Sequence, residues 1–146
     1  MPFRLRIPAS LYDQMAEHAV SEVPNECCGL IAGRCEASVT ESPGMPTFLA
    51  VRILPLANEA ASPVEFLSEP RSMFEAVREM QRAGLDILAV YHSHPTSEPV
   101  PSRKDLDRNY SPDVQNLILS LKTRPPVTRA WWLQAEDFQE AQWEIC

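Results

Sequence analysis

One strand-like segment constrains this chain more than any other feature, because it ends in two closely spaced histidines. Residues 85–91 are mostly apolar and lead directly into His92-Ser93-His94-Pro95, a pattern that predicts a buried strand. Side chains two residues apart in a strand point to the same face of the sheet. His92 and His94 are therefore predicted to lie side by side at the end of a rigid element, where both imidazoles can reach one metal ion.

A second polar group follows at a short distance along the chain. After a stiff, proline-containing loop, Ser102-Arg103-Lys104-Asp105 predicts a short helix over residues 102–109, with Asp105 in its first turn. Two imidazoles and one carboxylate leave a fourth position open for water, as in catalytic zinc sites. The same Ser-x-x-Asp spacing is typical of a helix capping box. The two roles are compatible, since Ser102 can begin the helix that presents Asp105.

The other periodicities predict a mixed α/β chain. Strands are predicted over residues 3–7, 27–33, 48–56, 64–67, 85–92, 114–121, 127–133 and 138–145, with a loop or hairpin tip over residues 36–47. Helices are predicted between a Ser10 cap and Pro24, over residues 70–83 and over residues 102–109. This order favours a single mixed central β-sheet flanked by helices. The length of 146 residues fits one domain over residues 1–146.

Charge and composition narrow the classes of partner. A formal net charge of −7 argues against nucleic acid, which proteins bind through arrays of Lys and Arg. No stretch approaches the ~20 apolar residues of a membrane-spanning helix. No apolar run follows the first arginines, so we expect a cytoplasmic protein. Disulfides are rare in that compartment, and Cys28 and Cys35 are predicted to be small buried residues.

Taken together, these motifs resemble those of a known family. His92-Ser93-His94-Pro95, six further residues and then Ser102-Arg103-Lys104-Asp105 match the JAMM pattern of His-x-His-Pro, spacer and Ser-x-x-Asp. The upstream segment Glu26-Cys27-Cys28-Gly29-Leu30 resembles the part of that family which carries a glutamate. The chain therefore resembles the JAMM (MPN-plus, Mov34/PAD-1) metallopeptidases, and in particular their small prokaryotic stand-alone members.

The resemblance implies a fold and a role for each motif residue. The expected fold is the MPN/JAMM fold, which is similar to that of cytidine deaminases. His92, His94 and Asp105 would bind Zn²⁺. Glu26 would act as the general base that takes a proton from the attacking water and passes it to the leaving amine. Ser102 would donate a hydrogen bond to the developing oxyanion.

The resemblance also implies a class of substrate. The chain resembles small members of the family, several of which are peptidases that act after the C-terminal Gly-Gly of ubiquitin-like sulfur-carrier proteins. Such a tail can bind as an added strand, and the segment Val64-Glu65-Phe66-Leu67 is the predicted edge. Two alternatives are a general deubiquitinase-like isopeptidase and a non-catalytic MPN scaffold. A homodimer is also consistent with the family.

Overall fold

A mixed β-sheet organises the part of the chain that the computed structural model describes, residues 2–36, 44–65 and 67–146. Its strands are β1 (Arg4–Ile7), β2 (Cys28–Cys35), β3 (Thr47–Leu56), β4 (Asp86–His94), β5 (Gln115–Ser120), β6 (Val127–Leu133), β7 (Phe138–Glu140) and β8 (Trp143–Ile145). Among these described residues the eight strands lie in the order β7-β6-β5-β4-β2-β3-β1-β8. The helices are α1 (Ala9–Ser21), α2 (Pro70–Arg82) and α3 (Arg103–Asp107). The predicted class, a mixed sheet with flanking helices, is confirmed.

The centre of the sheet is formed by three long apolar strands. β4 runs antiparallel to β2, with Cys28 opposite His92, and parallel to β5. All six residues of β5 are buried, as are all but the first two residues of β4. Near-continuous apolar strands of this kind are stable only when both faces of the sheet are covered. β4 is therefore held on both edges and both faces, up to and including the predicted metal-binding end.

α1 and α2 lie on opposite faces of this sheet. α1 packs on one face with Met15 and Ala19, within a cluster that includes Leu5, Ile31 and Tyr91. α2 packs on the other face, in a separate cluster of its own. The two faces therefore have independent cores, and the sheet is the layer between them.

Local signals fix the ends of α2. The Glu69 carboxylate accepts hydrogen bonds from the backbone amides of Arg71 and Ser72 at the helix start. At the other end Gly84 has a positive φ of 69°. The backbone amide of Leu85 donates to the Met80 carbonyl at 3.0 Å. This is the Schellman arrangement that favours glycine after a helix, and it turns the chain directly into β4.

Two predictions about element ends are wrong. α1 begins at Ala9 with Pro8 as its N-cap, and no side chain caps it, so Ser10 lies inside the helix. The segment 138–145 is not one strand. It divides into β7, which pairs with β6, and β8, which pairs with β1 at the opposite edge of the sheet. The sheet is curled, so one short segment can serve both of its edges.

The cysteine prediction is half correct. Cys28 is buried at the start of β2, whereas Cys35 is exposed at its end. The first six residues of β2 are buried and the last two are not, because the strand runs out of the core before it ends. The loop predicted over residues 36–47 lies mostly outside the described residues. Within the described part of the chain, none of the helices is long and apolar enough to cross a bilayer.

Candidate metal centre

The two histidines at the end of β4 converge on one carboxylate. His92 Nε2 lies 3.2 Å from Asp105 Oδ1, and His94 Nε2 lies 3.2 Å from Asp105 Oδ2. The two Nε2 atoms are themselves 3.2 Å apart. All three side chains are buried. The structure thus brings together the three residues that the sequence predicted as metal ligands.

The spacing of these atoms fits a metal ion. In a tetrahedral zinc site with ligand bonds near 2.0–2.1 Å, the ligand atoms lie about 3.3 Å from one another. The three observed distances of 3.2 Å are close to this value. Ligand atoms of Glu26, His92, His94 and Asp105 all lie within 4.8 Å of one another. A nitrogen and carboxylate donor set of this kind suits Zn²⁺.

The surrounding backbone fixes the orientation of His94. Its Nδ1 lies 2.8 Å from the Glu98 carbonyl oxygen, which can only accept, so Nδ1 carries the proton. In a neutral imidazole the lone pair is then on Nε2 and points toward the other donors. Outer contacts of this type set the tautomer and raise the basicity of metal-binding histidines.

The loop that supplies this carbonyl is itself held in place by two hydrogen bonds that no sequence motif predicts. The Ser120 hydroxyl donates to the Ser97 carbonyl at 2.6 Å. The Trp131 indole donates to the Pro99 carbonyl at 2.9 Å. Both donors come from β5 and β6, far from the motif in sequence. β5 pairs with β4, and β6 pairs with β5, so the folded sheet brings both donors to the loop that presents Glu98 to His94.

The capping box and the proposed site are one structure. The Ser102 amide donates to Asp105 Oδ2 at 2.9 Å, and the Asp105 amide donates to the Ser102 hydroxyl at 3.2 Å. Asp105 therefore caps α3 and faces the histidines with the same carboxylate. The Ser102 oxygen accepts in this contact, so its own O–H remains a donor that can be directed toward a ligand.

Glu26 is the fourth member of the group, and it comes from a different part of the chain. It lies just before β2, and only 3% of it is exposed. Among the described residues its Oε1 is buried without a hydrogen-bond partner. Burial raises the pKa of Glu26 to about 8, although His94 opposes the shift. A carboxyl group that titrates near neutral pH is suited to proton transfer.

Close contacts between the Asp105 carboxylate and the two imidazoles shift the pKa values of all three groups. Burial raises the pKa of Asp105, but the two imidazoles and the Ser102 amide outweigh burial and hold that pKa well below its usual range. Burial lowers the pKa of His94, but its bonds to Asp105 and to the Glu98 carbonyl raise it by more. For His92, burial prevails and the pKa is lowered. A buried carboxylate therefore stays ionised and favours a cation between the donors.

The prediction of a strand over residues 64–67 is wrong, because the described residues of this segment form no strand. Val64, Glu65 and Leu67 belong to no strand, and Phe66 lies outside the described residues. The Asn58 side chain bonds to the Glu65 carbonyl and the Leu67 amide. These backbone groups are therefore used within the segment and are not presented as an open edge.

Comparison with known proteins places the chain in a family. The sequence profile of the family described as prokaryotic homologs of the JAB domain matches residues 8–134. A probable TtuB-protein conjugate cleaving protease of Thermus thermophilus is 34% identical over 103 residues, covering 70% of this chain and 61% of that protein. This chain thus spans less than two thirds of that relative.

Two other relatives are covered more completely. A desampylase of Haloferax volcanii is 32% identical over 142 residues, which is 94% of this chain and 93% of that protein. A CysO-cysteine peptidase of Mycobacterium tuberculosis is 31% identical over 122 residues, 84% of this chain and 75% of that protein. The solution structure of a protein from Desulfitobacterium hafniense superposes with a TM-score of 0.83 at 28% identity, covering 97% of this chain and 92% of that one.

Proposed function

This chain belongs to the family of prokaryotic JAB-domain homologues, and we propose that it is a zinc-dependent peptidase that acts on a small ubiquitin-like protein. The bond hydrolysed is the amide after the C-terminal Gly-Gly of that protein. The observation that carries this proposal is the buried group of Glu26, His92, His94 and Asp105. The names of the three relatives support the peptidase activity and the class of substrate.

Each residue of the group has a distinct proposed task. His92, His94 and Asp105 hold the zinc ion, which when bound would supply a Lewis acid and a water of lowered pKa. Glu26 lies within 4.8 Å of these ligand atoms. It accepts the proton of the attacking water and donates it to the leaving amine, as its raised pKa allows. Ser102 donates its hydroxyl to the oxygen that gains charge.

A sulfur-carrier protein that bears a single amino acid after its terminal glycine is the leading proposed substrate. The relative named as a CysO-cysteine peptidase favours it. The second candidate is a carrier joined to another protein, which the relatives named as a desampylase and as a conjugate cleaving protease favour. A homodimer, a cytoplasmic location and the lack of nucleic-acid or membrane partners remain predictions from the sequence.

An intact-mass assay tests the proposal. The protein is incubated with a small ubiquitin-like carrier that ends in Gly-Gly-Cys and, separately, with a carrier joined through its terminal glycine to a protein lysine. We expect the loss of one cysteine from the first substrate, and a metal chelator should abolish that loss. Glu26→Gln should lower the rate by about 10²- to 10⁴-fold, the usual contribution of a general base, while zinc stays bound.

Two other outcomes would favour the alternative functions. Cleavage of only the lysine-linked substrate would favour the isopeptidase over the cysteine-releasing peptidase. Absence of cleavage of either substrate, with one zinc per chain, would favour the non-catalytic scaffold. Glu22→Gln is a matched control, because Glu22 is a nearby glutamate that lies on the exposed end of α1, outside the group. It should leave the rate unchanged.

A further inference from the structure

The main chain of Glu26 is held by a segment that contains no motif residue. Glu26 precedes β2, and its own amide and carbonyl bond to neither β3 nor β4. Its amide donates to the Ser62 carbonyl at 2.8 Å. Its carbonyl accepts from Asn58 Nδ2 at 2.9 Å. Both backbone groups of the proposed base are thus bound by residues 58–62.

The Asn58 side chain uses its full hydrogen-bonding capacity in this segment. Nδ2 donates to the carbonyls of Glu26 and Glu65, at 2.9 Å and 3.2 Å. Oδ1 accepts from the amides of Ala60 and Leu67, at 3.1 Å and 2.9 Å. A side-chain amide offers two donors and two acceptors. An aspartate of the same shape offers no donor. It could still accept from the amides of Ala60 and Leu67, but it would lose the contacts to the carbonyls of Glu26 and Glu65.

The turn around Asn58 holds an unusual backbone conformation. Ala61 has a φ of 45°, a backbone angle that residues other than glycine rarely adopt. Its amide donates to the Asn58 carbonyl at 3.1 Å. Such a conformation persists only where surrounding contacts determine it. It directs the next carbonyl, that of Ser62, toward the Glu26 amide.

The far end of the same segment is tied to the helix that carries Asp105. The Glu65 carboxylate lies 2.6 Å from Lys104 Nζ and 3.5 Å from Arg108 Nη1. Asn58 holds the Glu65 carbonyl. A continuous path of contacts therefore runs from the main chain of Glu26 through Asn58 and Glu65 to α3.

We propose that Asn58 is a positioning residue for Glu26, whose side-chain amide holds the main chain of the proposed base against the segment 58–67. It touches neither the donor atoms nor a reacting atom, and it acts through Glu26. This inference rests on the proposed role of Glu26 as the general base. It assigns to residues 58–67 the task of orienting the base.

A double-mutant cycle in the full-length zinc-loaded protein tests the inference. Asn58→Asp should lower kcat by about 10- to 100-fold, as the loss of comparable outer contacts does, with KM little changed and one zinc per chain. In the Glu26→Gln background the same substitution should cost almost nothing, because residues that act through one another are not additive. Equal losses in both backgrounds would overturn the inference.

A second asparagine provides the matched control. Asn109 is also half-buried, and its Nδ2 donates to the Leu133 carbonyl at 3.1 Å. Asn109→Asp makes the same chemical change away from Glu26 and should leave kcat within about twofold. An equal loss with Asn109→Asp would contradict a specific role. If Asn58→Asp does not fold, Asn58→Ala, which also removes the donor to Glu26, replaces it in the cycle.

Amide hydrogen exchange separates this inference from the proposed function. Asn58→Asp should speed exchange of the Glu26 amide, which is bonded to Ser62, and leave amides of β5 unchanged. A wild-type protein that cleaves no carrier would overturn the proposed function, and exchange alone would then decide whether Asn58 holds Glu26. Unchanged exchange at Glu26 would overturn the inference whatever the activity.

Discussion

The two faces of β4 bury histidine in opposite ways. On the α1 face, Tyr91 presents its hydroxyl to His18 Nδ1 at 2.8 Å. On the α2 face, the adjacent His92 and His94 share the Asp105 carboxylate at 3.2 Å. Burial lowers the pKa of His18, and the nearby Glu22 opposes this shift without reversing it. One face therefore holds a neutral polar contact, and the other holds a charged donor group.

The difference shows that burial alone does not make a metal site. A carboxylate oxygen of Glu22 lies 3.7 Å from His18 Nε2, and about half of the Glu22 side chain is exposed. Asp105 is buried between two imidazoles and anchored by the Ser102 amide. Water screens the first carboxylate but not the second. A buried carboxylate shared by two histidines is thus the feature that separates the candidate site from the ordinary core.

The largest expected effect is the loss of zinc when the Asp105 carboxylate is removed. Asp105→Asn leaves two neutral imidazoles and an amide, so we expect zinc affinity to fall by about 100-fold or more, at least as much as for loss of an outer contact. Peptidase activity should fall with it. Zinc content after dialysis is the measurement. Asp107→Asn on the same helix, where Asp107 pairs with exposed Arg103, should keep its zinc. Full zinc content in Asp105→Asn would contradict the assignment.

Removing the hydroxyl on the other face should affect stability but not metal. Tyr91→Phe leaves His18 Nδ1 without its partner, which should cost about 1–2 kcal/mol of unfolding free energy. Urea unfolding measures this cost, and zinc content should stay at one per chain. The exposed Tyr110 gives a control, since Tyr110→Phe should change neither quantity. Loss of zinc in Tyr91→Phe would show that the two faces are coupled.

The smallest expected effect is a change in pH dependence. Because burial lowers the pKa of His18 below its usual 6.5, the unfolded chain binds this proton more readily than the folded protein. The contribution of His18 to stability is therefore complete above pH 6.5 and is lost as the pH falls through the lowered folded value. His18→Gln should remove this part of the slope in unfolding free energy between pH 7 and pH 5. An unchanged slope would contradict a buried neutral His18.

Much of the candidate site could be predicted from local sequence. The two-residue period of a strand places His92 and His94 on one face, and a capping box places Asp105 in the first turn of α3. Glu26 was identified only by its resemblance to a family motif, because a lone glutamate before a strand carries no local signal. The family predicted from these motifs is confirmed by the comparisons.

Two strand predictions made from local periodicity are wrong. The alternation over residues 138–145 predicts one strand, yet the segment serves two opposite edges of a curled sheet. The pattern at Val64 and Leu67 suggests an edge strand, yet Asn58 binds the backbone there. In each case a partner outside the segment satisfies the backbone, and the periodicity of the segment does not reveal that partner.

The sequence by itself determined the ligand types, their spacing and the rigid strand that carries two of them, since strand and helix geometry follow from local backbone sterics and hydrogen bonding. Only the tertiary structure decided that Glu26 joins them, that Glu98 orients His94, and that Asn58 holds the main chain of Glu26. The contacts of Glu26 join residues far apart in the chain, and the loop that places Glu98 beside His94 is held by the distant residues Ser120 and Trp131. These contacts exist because the buried backbone groups of Glu26 and the buried imidazole of His94 must find hydrogen-bond partners wherever the folded sheet brings them.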